Sequence, residues 1–518
     1  MKNPMKSLTA LFTDSYEFTM PKALYALGKQ NEITNFNLFF RRIPQQGGYV
    51  LAAGLEQALD YLENLKFSEE ELRYISTTFD LGEQQINDLR NFKFVCDVKA
   101  VREGTPVFPN EPMLAISGPA WQCMLVEVAL LNSINYQSLV ATRASRLAQA
   151  ADGRAVLEFG ARRAQTGEAA IFGSRAAYIG GCTAVSLVEA GKRFGIPIKG
   201  TMAHSFMSFF GNDYDAFTAY VKAYPNNPTL LIDTYDVKQS GIPNAIRVFK
   251  ENGITNGAIR LDSGDLADLA KFSRKAFDEA GLTNIKITAS NSLDERLISS
   301  LINVQNAPID AFGVGENLIT GKPEPVLGCV YKLDAIGEVP RIKVSDTPAK
   351  ITIPGKKDVY RLYDKNGMAF ADVITVEGEK IEQPFPLFDP NEPSKNRVVS
   401  GFTAQALLVP MFVKGERVYK SPSVHEIRDY AKAQLATLHD GVKRFDNAHK
   451  QWVDLSPALW ELRENMVKEA RGLEEVKAEP QPKVAPKYAE FWSKIINKKV
   501  SYIGDGGDGS TVLGKELR

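Results

Sequence analysis

The chain has 518 residues, of which 44% are hydrophobic, and its 62 Lys and Arg residues balance its 62 Asp and Glu residues. This length corresponds to about three domains. A formal net charge of zero provides no overall field to attract nucleic acid or an anionic membrane, so we expect neither as a partner. The four cysteines are far apart and form no CxxC pair, which argues against a zinc site and against a disulfide framework.

No apolar stretch is long enough to predict a membrane span. The first apolar run, before Asp14, is shorter than a signal peptide requires. The longest, Met124–Ile134, contains Glu127 and Asn132 and falls short of the ~20 residues that cross a bilayer. We therefore expect a cytoplasmic protein.

Residues 1–140 predict an N-terminal domain of mixed α/β structure. Ile33–Phe40 has the composition of a strand, and Gly54–Leu65 has the apolar spacing of a helix. Four prolines in Val101–Pro119 favour short strands and turns. A long helix is predicted over Trp121–Ala150.

Residues 141–335 repeat a pattern of one short apolar run followed by one helix. The later runs begin about 25–30 residues apart, which is the length of one βα unit. Ser292–Glu295 reads as a capping box and Gly281 as a helix C-cap. Repeated βα units predict parallel strands joined by right-handed crossovers, in either a (β/α) barrel or an open doubly wound sheet. The predicted strands are Ala155–Phe159, Ile196–Lys199, Leu230–Asp233, Ala258–Leu261, Ile285–Ala289 and Ala311–Val314.

Residues 336–475 predict a C-terminal region that is first β-rich and then helical, from about residue 423. Residues 476–518 predict a linker and a flexible tail, because Val476–Pro486 has three prolines among charges. The glycine-rich stretch Gly504–Ser510 lacks the GK[ST] of a phosphate-binding loop.

The predicted strand ends carry the residues suited to catalysis. Because the carboxyl ends of parallel strands meet on one rim, these groups should lie together. Arginine forks bind phosphate or carboxylate, carboxylates hold Mg²⁺ through water, and glycine turns before helices bind phosphate. Each group also has a structural alternative. Arg162 and Arg163 could be solvated charges on a helix surface, Asp262 and Asp265 could be helix N-caps, Gly313 and Gly315 could form a tight turn, and His204 could be a hydrogen-bonded structural histidine. The strand-end segments are Glu158–Arg163, Lys199–Ser205, Asp233–Asp236, Arg260–Asp265, Ser290–Ser292 and Gly313–Gly315.

An ordered set of motifs resembles the nicotinate phosphoribosyltransferase family. This resemblance implies a type II phosphoribosyltransferase fold, with an N-terminal α/β domain, an irregular (β/α) barrel and a β-rich plus helical C-terminal region. It also implies a homodimer whose site is shared between subunits. The implied reaction joins nicotinate to 5-phosphoribosyl pyrophosphate, with Mg²⁺ on the pyrophosphate and with ATP hydrolysis coupled through a phosphorylated histidine. It is the first step of NAD salvage from nicotinate. The motifs are Thr13–Met20, Phe40–Pro44, Glu158–Arg163, Gly200–Ser205, Arg260–Asp265 and Phe312–Gly315.

The resemblance also assigns roles to individual residues. It implies that His204 is the phosphorylated histidine and that Asp262 is a second catalytic residue. It assigns no side chain as a metal ligand. The implied nicotinate contacts are Tyr16, Phe159, Thr201 and Arg260, with Phe159 stacking on the ring. The implied 5-phosphoribosyl pyrophosphate contacts are Arg162, Ser290, Asn291, Gly313 and Gly315.

Two positions depart from the family pattern. Glu316 stands where the family usually has threonine, and an acid beside a phosphate pocket repels phosphate unless a cation intervenes. Gly180–Ser186 lacks the acidic residue expected after its glycine pair.

Three alternatives remain open. A nicotinamide phosphoribosyltransferase would share the fold but bind a neutral amide. A metal-dependent aldolase or isomerase would need a Schiff-base lysine or a metal cluster, and Lys199 is the only lysine at a predicted strand end. A non-catalytic nucleotide-binding module would not need the strand-end arginines or His204.

Overall fold

The N-terminal part of the chain alternates short strands with helices. The computed structural model describes residues 8–347 and 350–472. Strand β1 matches the predicted Ile33–Phe40, and the helix predicted after Gly54 is also present. The elements are α1 (Tyr16–Ala26), β1 (Ile33–Phe40), β2 (Val50–Leu51), α2 (Leu55–Asn64), α3 (Glu69–Phe79), α4 (Glu83–Arg90), β3 (Asp97–Ala100), β4 (Pro106–Val107), β5 (Leu114–Pro119), α5 (Ala120–Leu125) and α6 (Glu127–Ala150).

The long helix predicted over Trp121–Ala150 is broken at Val126, where α5 ends and α6 begins. Among the described residues, Ala120–Ala150 is one stretch long and apolar enough to cross a membrane by length and composition alone. Most of its residues are buried, and α6 packs against α2 and α7. These contacts identify α6 as a core helix.

The middle of the chain consists of βα units. The predicted strands Ala258–Leu261 and Ala311–Val314 are present with those bounds. The elements are β6 (Ala155–Glu158), α7 (Gly167–Ile179), β7 (Ala184–Val185), α8 (Val188–Phe194), α9 (His204–Phe210), α10 (Asp213–Ala223), β8 (Thr229–Leu231), α11 (Ile242–Glu251), β9 (Ala258–Leu261), α12 (Leu266–Glu279), β10 (Lys286–Ser290), α13 (Glu295–Asn303), β11 (Ala311–Val314) and α14 (Glu316–Ile319).

The six strands of these units form a curled parallel sheet in the order β7-β6-β11-β10-β9-β8. The first strand of the segment, β6, pairs with the last, β11, as the strands of a closing barrel do. The chain curls into a half-barrel whose edges are β7 and β8. The predicted α/β class with a barrel-like parallel sheet is therefore confirmed.

One predicted strand is wrong. Ile196–Lys199 makes an isolated bridge, in which Ile198 pairs with Val185. Pro197 has no N–H to donate, so this segment cannot form the continuous hydrogen bonds of a strand. The strand in the sheet is instead β7, whose two residues are too few to give an apolar run.

Two predicted caps also differ. Asp294, not Ser292, caps α13, because its carboxylate accepts from the Leu297 N–H at 2.8 Å. Ser292 has a positive φ of 51° and lies outside the cap. Gly281 lies one residue beyond the C-cap of α12, which is Ala280.

The C-terminal part is β-rich and ends in two helices separated by a strand. Its order agrees with the predicted succession of β-rich and helical structure. The predicted linker and tail, 476–518, lie outside the described residues. The elements are β12 (Cys329–Ile336), β13 (Val339–Pro340), β14 (Lys357–Tyr363), β15 (Ala369–Val376), β16 (Phe385–Leu387), β17 (Arg397–Val399), β18 (Thr403–Ala406), β19 (Val409–Val413), β20 (Glu416–Arg417), α15 (Val424–Ala436), β21 (Trp452–Leu455) and α16 (Pro457–Ala470).

A seven-stranded antiparallel sheet joins the two ends of the chain. Its order, β13-β12-β1-β5-β3-β19-β20, combines three N-terminal strands with strands from about residues 330 and 410. A separate four-stranded sheet has the order β18-β14-β15-β21. The N-terminal sheet is therefore completed by distant segments of sequence.

Candidate active site at the carboxyl rim

The candidate site lies at the carboxyl ends of the parallel strands. Phe159 directly follows β6, and Asp262 directly follows β9. Ser290 is the last residue of β10, and Gly313 is the third of four residues in β11. Asp233 lies two residues beyond β8. The parallel register brings these residues to one rim.

Arg260 is the centre of the hydrogen bonds at this rim. Its Nε donates to Ser290 Oγ at 2.9 Å, its Nη1 to Thr201 Oγ1 at 3.1 Å, and its Nη2 to Asp262 Oδ1 at 2.9 Å. Its guanidinium carbon lies 5.5 Å from the centre of the Phe159 ring. The guanidinium is thus held rigidly beside an aromatic face, with N–H groups left for a ligand.

Asp262 is the counterion of Arg260. Burial alone would raise the pKa of Asp262, but the hydrogen bonds from Ser290 and Arg260 outweigh burial and lower its pKa. The nearby His204 lowers the pKa further. Asp262 is therefore ionised at neutral pH, and the Arg260–Asp262 pair has no net charge.

His204 is the first residue of α9 and is about half exposed. Its Nδ1 lies 3.1 Å from Thr234 Oγ1. Its Nε2 lies 3.6 Å from Asp262 Oδ2, which is longer than a hydrogen bond. The ring is accessible to a ligand and lies within reach of the Arg260 group.

Asp233 and Thr234 belong to the site although the sequence assigned them no role. Asp233 Oδ2 accepts from the Asp262 N–H at 2.9 Å and from Ser263 Oγ at 2.7 Å. Its Oδ1 is buried without a hydrogen-bond partner. The available signal was their position in the strand-end segment Asp233–Asp236, but nothing in that segment distinguished them from ordinary loop residues.

Gly313 makes room for Phe159. A Cβ atom at Gly313 would lie 2.5 Å from the Phe159 ring, closer than carbon atoms can approach. Phe159 N–H donates to Val314 O at 2.8 Å, which fixes the backbone of this turn. The glycine therefore has a packing function beyond a tight turn.

The Glu158 side chain holds the same turn through hydrogen bonds. It is completely buried and accepts hydrogen bonds from Gly160 N–H and from Ser174 Oγ. Burial raises the pKa of Glu158 to about 6, although both hydrogen bonds oppose the rise.

The implied phosphate-binding residues lie in or shortly after the strands β6, β10 and β11. Asn291 has a positive φ of 89° and lies in the turn after β10. Arg162 is exposed and has no ion-pair or hydrogen-bond partner in the described part of the chain. Gly315 is the N-cap of the short helix α14.

Glu316, the first residue of α14, has two cations beside it. It forms a close ion pair with Lys322, and Arg163 Nε lies 4.0 Å from its Oε2. The Lys322 contacts and Arg163 lower the pKa of Glu316. These cations compensate the negative charge of Glu316, which stands where the resemblance led us to expect threonine.

Tyr16 lies apart from the Arg260 group. It is on α1, and no hydrogen bond, ion pair or ring contact joins it to the rim within the described residues. Burial raises its pKa, as do the nearby acids Glu127, Glu17 and Asp14. A single chain thus brings together Phe159, Thr201, Arg260, Asp262, Ser290 and His204, but not Tyr16.

Comparisons with known proteins agree with this architecture. Two family models match, the nicotinate phosphoribosyltransferase N-terminal domain over residues 11–135 and the C-terminal domain over residues 356–463. A nicotinate phosphoribosyltransferase from Bacillus subtilis is 41% identical over 87% of this chain and 94% of its own. One from Caenorhabditis elegans is 36% identical over 87% of this chain and 92% of its own. The crystal structure of human nicotinic acid phosphoribosyltransferase has a TM-score of 0.78 at 28% identity, covering 88% of this chain and 100% of that chain.

Proposed function

This chain belongs to the nicotinate phosphoribosyltransferase family, and from that premise we propose how its rim residues carry out the reaction. The enzyme joins nicotinate to 5-phosphoribosyl pyrophosphate and releases pyrophosphate, the entry to NAD salvage from nicotinate. The roles given below to individual residues, to Mg²⁺, to ATP and to a second subunit are proposals.

Nicotinate binds with its ring against Phe159 and its carboxylate at Arg260. The observation that carries this proposal is the guanidinium of Arg260, fixed by three hydrogen bonds and 5.5 Å from the Phe159 ring. A flat ring with one carboxylate fits an aromatic face beside a guanidinium fork. Because three of the five guanidinium N–H groups are used, two remain to donate to the carboxylate, and Thr201 contributes a hydroxyl.

The phosphoribosyl group lies over the turns after β10 and β11. Ser290, Asn291, Gly313 and Gly315 lie in or directly beyond these strands, and Arg162 offers an unpaired guanidinium. Bond formation at the anomeric carbon passes through a cation-like state, which the ionised Asp262 stabilises.

Mg²⁺ fits this site as an ion carried by the pyrophosphate. No group of three or more metal-ligating side chains occurs among residues 8–347 and 350–472. The free Oδ1 of Asp233 is a suitable protein oxygen, because Mg²⁺ often uses one or two carboxylates together with water and substrate phosphates. When bound, the ion neutralises charge on the leaving pyrophosphate.

His204 accepts a phosphoryl group from ATP. It is the histidine on the rim, it is half exposed, and a nitrogen nucleophile can both accept and release a phosphoryl group. Hydrolysis of this group favours nucleotide formation. A homodimer then accounts for Tyr16, because α1 of a second subunit can supply the tyrosine that a single chain leaves apart from the rim.

A product assay tests these proposals together. Purified protein is supplied with 5-phosphoribosyl pyrophosphate and Mg²⁺, with nicotinate or nicotinamide, and with or without ATP. We expect nicotinate mononucleotide, more of it with ATP, and little product from nicotinamide. Equal turnover of the two bases would favour the nicotinamide alternative. A yield independent of ATP would contradict the proposed coupling to ATP hydrolysis.

A variant assigns the coupling to His204. Incubation with γ-labelled ATP should leave acid-labile, alkali-stable label on the wild type and none on His204→Ala, which should keep slow transfer without ATP. Equal label on His204→Ala would show that another residue is phosphorylated.

A further inference from the structure

Thr234 is the hydrogen-bond partner of the His204 ring. We propose that Thr234 is a positioning residue that holds the proton on His204 Nδ1 and so leaves the lone pair on Nε2 to attack ATP. This inference rests on the proposed phosphorylation of His204. It adds a residue to the site and names the nitrogen that reacts.

The distances distinguish the two ring nitrogens. Nδ1 lies 3.1 Å from Thr234 Oγ1, within hydrogen-bond range. Nε2 lies 3.6 Å from the nearest Asp262 oxygen, beyond that range. Nε2 is therefore the ring nitrogen without a hydrogen bond in the described structure. A nitrogen that must attack phosphorus needs this freedom.

The loop that carries Thr234 is fixed on both sides. Before it, Asp233 Oδ2 accepts from Asp262 N–H at 2.9 Å and from Ser263 Oγ at 2.7 Å. After it, Asp236 Oδ1 accepts from Gln239 N–H at 2.6 Å at the start of a π-helical turn. A hydroxyl held in this way can orient the ring, because its own backbone is restrained.

The hydrogen bond sets the tautomer. When Thr234 Oγ1 accepts from Nδ1–H, the ring is neutral and its lone pair is on Nε2. In the transfer, a bond forms between Nε2 and the γ-phosphorus, while the bond from that phosphorus to the β,γ-bridging oxygen breaks. The electron pair of that bond leaves with ADP, and the ring becomes an imidazolium that keeps its Nδ1 proton. No proton has to reach or leave the ring during the step.

Two variants at one position separate the hydroxyl from the shape of the side chain. Thr234→Val keeps the shape and removes the hydroxyl, and Thr234→Ser keeps the hydroxyl. Thr437→Val is the matched control, because its hydroxyl bonds to Gln434 O at 2.7 Å beyond α15, away from the rim. The rate of labelling from γ-labelled ATP, the position of the label on the ring, and the ¹⁵N spectrum of labelled histidines are measured for each protein.

We expect label on Nε2 in the wild type and a proton on Nδ1 in its unphosphorylated ring. Thr234→Val should be labelled about tenfold more slowly, the effect of one lost hydrogen bond. It should also lose the Nδ1–H signal, whereas Thr234→Ser and Thr437→Val should match the wild type. The KM for nicotinate should not change in Thr234→Val, since no hydrogen bond joins the Thr234 side chain to Arg260, Asp262 or Ser290 in the described part of the chain.

Label on Nδ1, wild-type labelling of Thr234→Val, or failure of Thr234→Ser to restore the rate would each overturn this role of Thr234. A wild type that transfers phosphoribosyl groups but never carries label would instead overturn the proposed ATP coupling. The two failures are therefore distinguishable.

Discussion

At the scale of single residues, the pairing of Arg260 with Asp262 changes how the preference for an acid should be tested. Arg260→Ala alone leaves the ionised Asp262 without its counterion, which would harm the binding of any base. The double variant Arg260→Ala/Asp262→Asn removes both charges, so it measures the loss of the guanidinium without an unpaired carboxylate. The two variants together separate recognition of the carboxylate from a general electrostatic defect.

Arg260→Ala should raise the KM for nicotinate about tenfold or more, because a charge-assisted hydrogen bond to the carboxylate is lost. The double variant should also raise the KM for nicotinate. Both variants should raise the KM for nicotinamide less than the KM for nicotinate. Steady-state kinetics with the two bases make the measurement. Equal losses for both bases in the double variant would remove Arg260 from this role.

Gly313→Ala should impair nicotinate binding without unfolding the protein. The new Cβ would overlap the Phe159 ring, so the ring must leave its place beside Arg260. We expect the KM for nicotinate to rise several-fold while the melting temperature falls by only a few degrees. Gly82→Ala is the control, because a Cβ at Gly82 meets no atom within 4 Å. A wild-type KM in Gly313→Ala would show that the position of Phe159 does not matter for binding.

At the scale of elements, local sequence patterns predicted the strands and helices whose bounds depend on neighbouring residues in the chain. β9 was predicted to the residue because an apolar run and a helix N-cap bound it. β7 was missed because two residues form a strand only through their neighbours β6 and Ile198. The capping box predicted at Ser292 is wrong because the Glu295 carboxylate forms buried ion pairs with Arg143 and Arg146 instead. A local sequence pattern cannot show these long-range contacts.

The helix α7 is tied to the N-terminal domain by a buried arginine. Arg175 is completely buried, and its two Nη atoms donate to both oxygens of Glu103, at 2.8 and 2.7 Å. Arg175→Met should destabilise the protein by about 3–5 kcal/mol, because Glu103 would be left buried and unpaired. Urea unfolding measures the change. The double variant Arg175→Met/Glu103→Met should recover part of the loss, and purely additive losses would exclude an energetic coupling between the two residues.

The helix α1 carries a buried acid that should make stability depend on pH. Glu17 is 1% exposed, and neither carboxylate oxygen has a hydrogen-bond partner. Burial, with Glu127 and Asp14 nearby, raises the pKa of Glu17 to about 9. The folded protein keeps this proton, so the stabilisation is complete below the unfolded pKa of about 4.3 and is lost as pH rises toward 9.

Glu17→Gln should remove this dependence. Relative to the wild type, the variant should gain up to about 1.4 kcal/mol in the free energy of unfolding for each pH unit between 5 and 9. Urea unfolding at several pH values makes the comparison, with Glu70→Gln on the exposed face of α3 as control. A constant difference between Glu17→Gln and the wild type would mean that Glu17 ionises normally in the folded protein.

At the scale of the whole molecule, the sequence could not show which distant segments pair. The seven-stranded sheet takes β12, β13, β19 and β20 from beyond the parallel strands, and those pairings depend on tertiary packing. The rim was predictable because parallel strands bring their carboxyl ends together whatever their order. The separation of Tyr16 from the rim was not predictable, because family motifs give order along the chain and not position in space.

That separation leads to a test of the shared site. If α1 of one subunit completes the rim of the other, Tyr16→Ala and Arg260→Ala damage different parts of each site. In a dimer with one copy of each variant, one site then receives both defects and the other receives neither. Random pairing of equal amounts should therefore restore about a quarter of the wild-type activity. Co-expression with two affinity tags yields the purified mixed dimer, which should have about half of the wild-type activity because one of its two sites is intact. Sedimentation gives its size. Arg260→Ala mixed with Asp262→Asn is the control: both changes lie on the rim, so every site is defective and no activity should return. Recovery in neither mixture would place Tyr16 in the site of its own chain, and a fully active Tyr16→Ala homodimer would place it in no site.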